Sequence, residues 1–453
     1  MIELTRKQIR LLRATIRQAL NIRSVPRAPP VMFQGTAEGL LVQAVTDELA
    51  IQCRLPGVFT AECIAVPYDA LMKAEARSDM PVRISVDQAH VLLRWDHAGV
   101  PYDVRSPIVE TAVMPDAAET LKTISSSFIR AMTDAVDTSA TESGRYALSK
   151  VCLSGTDGRI IASDGRQALL QEGFEFPWTD ELLVPATRAF TAQPFKAADT
   201  VMSGCTDDWV SVNAGDWTLQ LRIDRESRFP MVDDLIPATD EATTSVFLSD
   251  DDAAFLLNAA KRLPTRTKSD PVTMDLNGAV TIRTREQDST EATEIILNTS
   301  TRTGEELRFN TDSAMLLRAV RLGFHAIHFR SSESPAFCRA NGRSFVWALC
   351  SSNDVIEANS DAVRMESPVS SVHHPPNRIS SSMTSTKHKP RSKPTTSDDT
   401  ITVLTKAEAL RDSLSRTLAD VRELISTIKR DRKQNRLVQS TLRSLRQLEN
   451  IGS

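Results

Sequence analysis

The sequence predicts an α+β fold in which one domain is repeated three times, followed by a disordered linker and a coiled-coil-like helix. Three observations carry this reading. A helical apolar pattern opens each third of the first 357 residues, at 5–20, 116–136 and 249–263. Alternating, β-branched-rich segments such as 82–86 and 218–223 follow each of them and read as strands. A second helical pattern then recurs in each third, at 67–77, 185–193 and 311–322, so the spacing between the paired helices is similar throughout. Val66-Pro67 and Val184-Pro185 place proline where a first helical turn tolerates a missing N–H. The expected domains are 1–112, 113–238 and 239–357, with a linker over 358–400 and a helical tail over 401–453.

The boundary near Glu357 rests on composition. Residues 358–400 are rich in Ser, Thr, Pro and His and carry few aliphatic side chains at any period, so they cannot bury a core. Beyond them Leu414, Leu418, Val421, Ile425 and Ile428 recur at 4-3-4-3 spacing on one stripe. Arg432 and Asn435 interrupt it, and Val438, Leu442 and Leu445 resume it. A helix with one narrow apolar stripe needs a partner. The partner is unidentified: a second copy, a groove on another protein, or the body of the same chain.

Length and composition bound the function. A chain of 453 residues suits two to four domains, and 41% hydrophobic with 25% charged residues is ordinary for a soluble globular protein. No apolar stretch is long enough for a bilayer, and Met1 leads straight into a helical pattern without a signal-peptide core, which points to the cytoplasm. The six cysteines lack C-x-x-C spacing and read as buried free thiols. The net charge of −4 is unevenly spread. From Ala358 onward there are 17 basic and 10 acidic residues, which leaves 37 of the 54 basic and 48 of the 58 acidic residues to the body.

Catalytic chemistry is not legible. His325 and His328 flank a strand start and read as structural, while Asp250, Asp251 and Asp252 follow Ser249 at a helix start, where acids favour the dipole. There is no phosphate-binding G-x-x-x-x-G-K-[ST] loop and no Ser/His/Asp or Cys/His arrangement. The expectation is a non-catalytic protein with no cofactor and no metal.

Two segments carry a family resemblance. One is Arg145-Tyr146-Ala147-Leu148, followed by a strand and then Ala162-Ser163-Asp164-Gly165-Arg166-Gln167-Ala168-Leu169; Asp164-Gly165 is a strong turn dipeptide. The other is Arg228-Phe229-Pro230, leading to Leu235-Ile236-Pro237. Together they resemble the middle domain of the bacterial DNA polymerase III β subunit, the β sliding clamp family, and the likeness in layout extends from Met1 to about Ser351. The resemblance implies three clamp domains per chain, a head-to-tail homodimeric ring on double-stranded DNA, and helices lining the hole. It also implies an accessory role beside a DNA-directed DNA polymerase, loading by a separate ATP-driven clamp loader, and residence in the cytoplasm on the nucleoid.

A ring that slides must attract phosphates without reading bases, so its inner helices need Lys and Arg. The first helix supplies Arg10, Arg13 and Arg17 on one face, with Arg23 beyond it. The other helices supply Lys73, Arg77, Lys122, Arg130, Arg188, Lys261, Arg262, Arg318 and Arg321. The competing reading of each is a solvated face of an amphipathic helix.

The resemblance also implies a pocket for apolar client peptides, carried here by Leu148, Ser163, Gly165, Arg166, Gln167, Ala168, Pro230, Asp234 and Leu235, with Val346, Ala348 and Leu349 of the last strand. Arg166-Gln167-Ala168 replaces a common His-Arg-Leu, Asp234 replaces a common basic residue, and the last strand lacks the usual Met-Pro. Lys261-Arg262 falls where the family places apolar residues at the dimer contact. Two readings follow: a DNA clamp and processivity factor, or a clamp-fold scaffold that does not encircle DNA and works through its tail.

Overall fold

Thr5 begins the first helix with a reciprocal cap: its hydroxyl accepts from the Gln8 backbone N–H at 3.1 Å, while its own N–H donates to Gln8 Oε1 at 2.8 Å. The computed structural model describes residues 1–368 apart from 143, 263–270, 286–290 and 352–354. The first repeat runs β1 (Ile2–Thr5), α1 (Arg6–Ala19), β2 (Val31–Thr36), β3 (Gly39–Val45), β4 (Leu49–Leu55), β5 (Cys63–Val66), α2 (Tyr68–Ala74), β6 (Pro81–Asp87), β7 (His90–His97) and β8 (Val100–Pro107). The second runs β9 (Lys122–Ile124), α3 (Ser127–Thr138), β10 (Lys150–Ser154), β11 (Arg159–Ser163), β12 (Gln167–Gln171), β13 (Glu181–Pro185), a 3-10 turn (Arg188–Thr191), α4 (Gln193–Lys196), β14 (Val201–Cys205), β15 (Trp209–Ala214) and β16 (Trp217–Arg222). The third runs β17 (Thr244–Phe247), α5 (Asp250–Ala259), β18 (Pro271–Asp275), β19 (Val280–Arg285), β20 (Ala292–Leu297), β21 (Thr301–Gly304), β22 (Arg308–Asp312), α6 (Ser313–Arg321), β23 (Ala326–Phe329), β24 (Ala336–Ala340) and β25 (Arg343–Trp347). A last strand, β26 (Val363–Glu366), follows.

One topology repeats three times. The opening strand pairs with the start of the later meander (β1 with β6, β9 with β14, β17 with β23), and the strand before the second helix pairs back on the earlier meander (β5 with β2, β13 with β10, β22 with β18). Adjacent repeats then join by one rule. The last strand of an earlier meander pairs antiparallel with the last strand of the next repeat's later meander: β4 with β16, from Leu49↔Leu221 to Cys53↔Trp217, and β12 with β25, from Gln167↔Trp347 to Gln171↔Arg343. Sheets of eight and nine strands result, flanked by a four-stranded sheet ending in β8 and a five-stranded sheet ending in β26.

Burial follows the alternation. Ile9, Leu12, Ile16 and Ala19 of α1 face a core shared with the sheets of the first two repeats, while a second core, including Phe309, Phe329, Phe345 and Trp347, fills the third. The helices form a second run across the repeats. α1 packs on α2 and on the 3-10 turn, the turn packs on α3, and α5 packs on α6.

The sequence expectations need four corrections. Residues 116–121 are not helical, and α3 starts at Ser127. Ala118 is buried, its N–H donating to Ser211 Oγ at 3.3 Å, and the Thr120 carbonyl lies against Gly204, so contacts with β14 and β15 hold the segment out of a helix. Pro185 ends strand β13 instead of opening a helix, because Leu182-Leu183-Val184 is buried on both faces and its periodicity cannot separate strand from helix. Cys63 is exposed, although Cys53, Cys152 and Cys338 are buried as expected. Burial pushes the Cys53 and Cys152 thiols up to about 12, which keeps them neutral. Finally, β26 lies in the stretch that composition reads as linker. The rest of 369–453, including the expected helical tail, lies outside the described residues.

Candidate functional site

The expected basic residues divide into those free to meet a phosphate and those already committed. Arg13 is committed: Nε lies 2.5 Å from Glu75 Oε2 and Nη2 2.6 Å from Oε1, with the guanidinium 5.8 Å above the Tyr68 ring. The Glu75 hydrogen bond holds its pKa above the ordinary arginine value despite burial. Arg318 is committed too. Its Nη2 donates to the Asp134 carbonyl and to Thr138 Oγ1, both at 2.7 Å, and burial lowers its pKa. It therefore ties α6 to the C-terminal turn of α3, and Arg343 adds an ion pair to Asp134 at 3.0 Å.

Three arginines converge where the first two repeats meet. Arg17, Arg23 and Arg188 are exposed and line a cavity of about 850 Å³ between α1 and the 3-10 turn. None has an acidic partner within ion-pair distance among the described residues. The one carboxylate in the lining, Glu48, is bound by Lys150 at 2.6 Å. The position of Arg188 is fixed from the first repeat. Asn21, in the left-handed region at φ 50°, donates through Nδ2 to the Ala186 carbonyl at 2.8 Å and accepts through Oδ1 from the Arg188 N–H at 3.3 Å. Thr187 Oγ1 donates to the Ala19 carbonyl beside it.

The remaining cations are dispersed. Arg10 is half-buried on α1, and Arg77 is exposed just past α2. Lys73 pairs with Asp69 at 3.3 Å, Arg130 lies 4.0 Å from Asp134, and Arg321 is exposed in the last turn of α6. Lys122 is on strand β9 and not on a helix, and it pairs with Glu175 at 2.9 Å. Lys261 donates to Asn258 Oδ1 at 3.1 Å; Arg262 ends the same 3-10 turn, and its side chain lies outside the described residues.

The second candidate site follows the β12–β25 seam. Ala168 and Val346 are register partners and share a small buried cluster with Val232, Ile236, Ala147 and Phe337. The Ala348 N–H donates to the Arg166 carbonyl at 2.8 Å, extending the seam. The turn before β12 is self-contained: Asp164 Oδ1 accepts from the Arg166 and Gln167 N–H groups at 2.8 and 2.9 Å, and Ser163 Oγ donates to the Gln167 carbonyl at 2.7 Å. Gly165 adopts φ +87°, and the half-buried Leu148 lies over it. Gln167 Oε1 is buried without a hydrogen-bond partner. Exposed Met231 (79%) and Leu235 (54%), with half-buried Pro230 and exposed Asp234, border the cluster along the chain. Leu349 departs from this grouping and packs on the core of the third repeat. Sequence reading missed Val232 and Ile236, whose apolar 232/235/236 spacing in a proline-bounded loop was the available signal.

Neither a family model nor a curated protein matches the chain. Solved structures do. The DNA polymerase III subunit beta of Pseudomonas aeruginosa superposes with TM-score 0.62 at 16% identity, over 77% of this chain and 99% of that one. The beta subunit from DNA polymerase of Streptococcus pyogenes gives 0.63 at 13%, and the DNA polymerase III beta subunit of Thermotoga maritima 0.62 at 14%, with the same coverage. The chain has the sliding-clamp fold.

Within the clamp fold His328 is held by packing and a hydrogen bond. His328 Nδ1 hydrogen-bonds Ser245 Oγ at 2.8 Å against Phe337, and burial lowers its pKa. Asp252 accepts from the Thr299 N–H at 3.0 Å and from Ser300 Oγ at 2.6 Å. Among the described residues no helix is long and apolar enough to cross a membrane.

Proposed function

We propose that this clamp-fold chain is a DNA sliding clamp, a non-catalytic processivity factor that encircles duplex DNA and tethers a polymerase or repair partner at the β12–β25 seam. The observation that carries the reading is the cluster of Arg17, Arg23 and Arg188, the last positioned from the first repeat by Asn21, with no acidic ion-pair partner among the described residues. An acidic body that keeps such a cluster free favours phosphate contact without base readout. Topological binding is the test. The protein is captured on a closed circular plasmid at a salt concentration that strips ordinary electrostatic binders, and the plasmid is then cut once. Release on cutting is the expected result; retention that is indifferent to cutting sinks the proposal.

A scaffold that does not encircle DNA is the second reading. It is favoured by β26, which covers a strand edge that an assembling copy would need.

A further inference from the structure

The two internal junctions pair the last strand of an earlier meander with the last strand of the next repeat's later meander. Applied once more, the rule leaves two unmatched strands at opposite ends of the repeat series: β8, last in the later meander of the first repeat, and β20, last in the earlier meander of the third. They are complementary halves of a third junction, and a second copy of the chain can supply each to the other. Among the described residues β8 ends its sheet with no further strand beside it, and Val100 (53%) and Tyr102 (46%) are exposed. An edge of this kind is a template for strand addition.

The β20 edge is occupied instead. β26 lies along it in parallel, from Thr293↔Val363 to Ile296↔Glu366. Side chains fix the strand at both ends. Arg364 Nε lies 3.2 Å from Glu294 Oε2, the other oxygen of which accepts from Arg283 Nε at 2.6 Å. Past the strand, Ser367 is buried: its N–H donates to the Ile296 carbonyl at 2.9 Å, and its hydroxyl and carbonyl accept from Asn298 N and Nδ2 at 2.8 and 2.7 Å.

We infer that β26 is a displaceable plug, which holds the β20 edge closed until the β8 strand of a second copy replaces it. The inference rests on the clamp reading for its purpose, since a plug on this edge controls closure of a head-to-tail ring. Geometry favours displacement. The plug pairs four residues in parallel, whereas each internal junction pairs five in antiparallel, the more stable arrangement per residue. The plug is intramolecular and so dominates at low concentration, while the incoming strand gains as concentration rises.

Self-association of the full chain, measured by light scattering over a dilution series, tests this. Arg364→Glu with Ser367→Pro sets a like charge against Glu294 and removes the Ile296 hydrogen bond. Thr293→Cys with Val363→Cys joins register partners and locks the plug when oxidised. The release variant is expected to associate more tightly than wild type by roughly tenfold or more. The locked form is expected to stay weak until reduced, and adding Val104→Pro in β8 to the release variant should return it to the weak state. All forms carry the same 401–453 segment, so association through it cancels, and melting curves identify any variant that has lost its fold. Reversal of the lock by reductant serves as a control within one polypeptide. Equal association of locked, wild-type and release proteins overturns the plug. Failure of every form in the plasmid-cutting assay overturns the clamp reading instead, and leaves the association result to decide the plug alone.

Discussion

Arg13 of α1 and Glu75, just past the end of α2, form a two-point ion pair at 2.5 and 2.6 Å that clasps the two helices of the first repeat. Their side chains are only 15% and 19% exposed, so the pair is shielded from the screening that makes most surface pairs weak. The arginine stripe along α1 therefore has two jobs: Arg13 holds helices together, and Arg17 faces the cavity. Glu75→Gln is expected to lower stability by about 2 kcal/mol, because it leaves a shielded guanidinium with a poorer acceptor. Arg17→Ala should leave stability within about 0.5 kcal/mol of wild type. Urea unfolding midpoints at neutral pH measure both, and equal effects would refute the division of labour.

Arg17, Arg23 and Arg188 should show their role in salt dependence. If each meets a phosphate, each change to Ala reduces the slope of log affinity against log salt by about 1 on duplex DNA, whatever its sequence. Arg318→Ala should leave that slope unchanged, since its guanidinium is spent on the Asp134 carbonyl and Thr138. Fluorescence anisotropy with two unrelated duplexes decides the point. A slope that falls for Arg318 and not for Arg188 reverses the assignment.

Much of this architecture is legible in the sequence because it is local. Thr5 and Gln8 announce α1, the i, i+3, i+7 spacing of Ile9, Leu12 and Ile16 fixes its buried face, and Asp164-Gly165 marks its turn. What escapes depends on distant partners. Nothing near Arg13 reveals that Glu75, 62 positions away, will bind it. Lys122 follows a helix-like pattern, yet its neighbours Thr123 and Ile124 pair with β14, and tertiary pairing overrides local propensity. β26 is hidden for the same reason. Val363 to Glu366 alternates apolar and charged residues over only four positions, too short a run to stand out in a Ser/Thr/Pro-rich stretch, and its strand forms against the edge that β20 offers.

The third repeat should be acid-sensitive through Asp275. Burial pushes this carboxyl up, but the Arg283 hydrogen bond, the Asn277 N–H at 3.0 Å and Arg308 at 3.0 Å outweigh it and hold it below its ordinary 3.8. A carboxylate whose folded pKa lies below its unfolded value stabilises the fold fully above about pH 4. That stability is lost as the pH falls through the folded value. Asp275→Asn is expected to lower the melting temperature at pH 7 and to flatten its decline below about pH 4. Buried Asp252, also depressed, keeps part of the slope in the variant. A decline of unchanged steepness excludes Asp275 as a contributor.

At the β12–β25 seam, backbone and side chain make separable predictions. Gly165 sits at φ +87°, and a Cβ there would meet Leu148 Cδ1 at 3.5 Å, an ordinary contact. Gly165→Ala should therefore lose about 1 kcal/mol from backbone strain alone. Leu148 is half-buried, so Leu148→Asp should leave the fold intact while placing a charge beside the apolar cluster of Ala168, Val346 and Val232. If apolar client peptides dock on this seam, Leu148→Asp weakens a short Leu/Phe-rich peptide by about tenfold or more, whereas Gly165→Ala lowers thermal stability with little change in affinity. Calorimetric titration with that peptide and a melting curve on each variant give the two readouts. Unchanged affinity in Leu148→Asp would move the client site away from the seam, because a charge cannot be buried against apolar peptide side chains without a penalty of several kcal/mol.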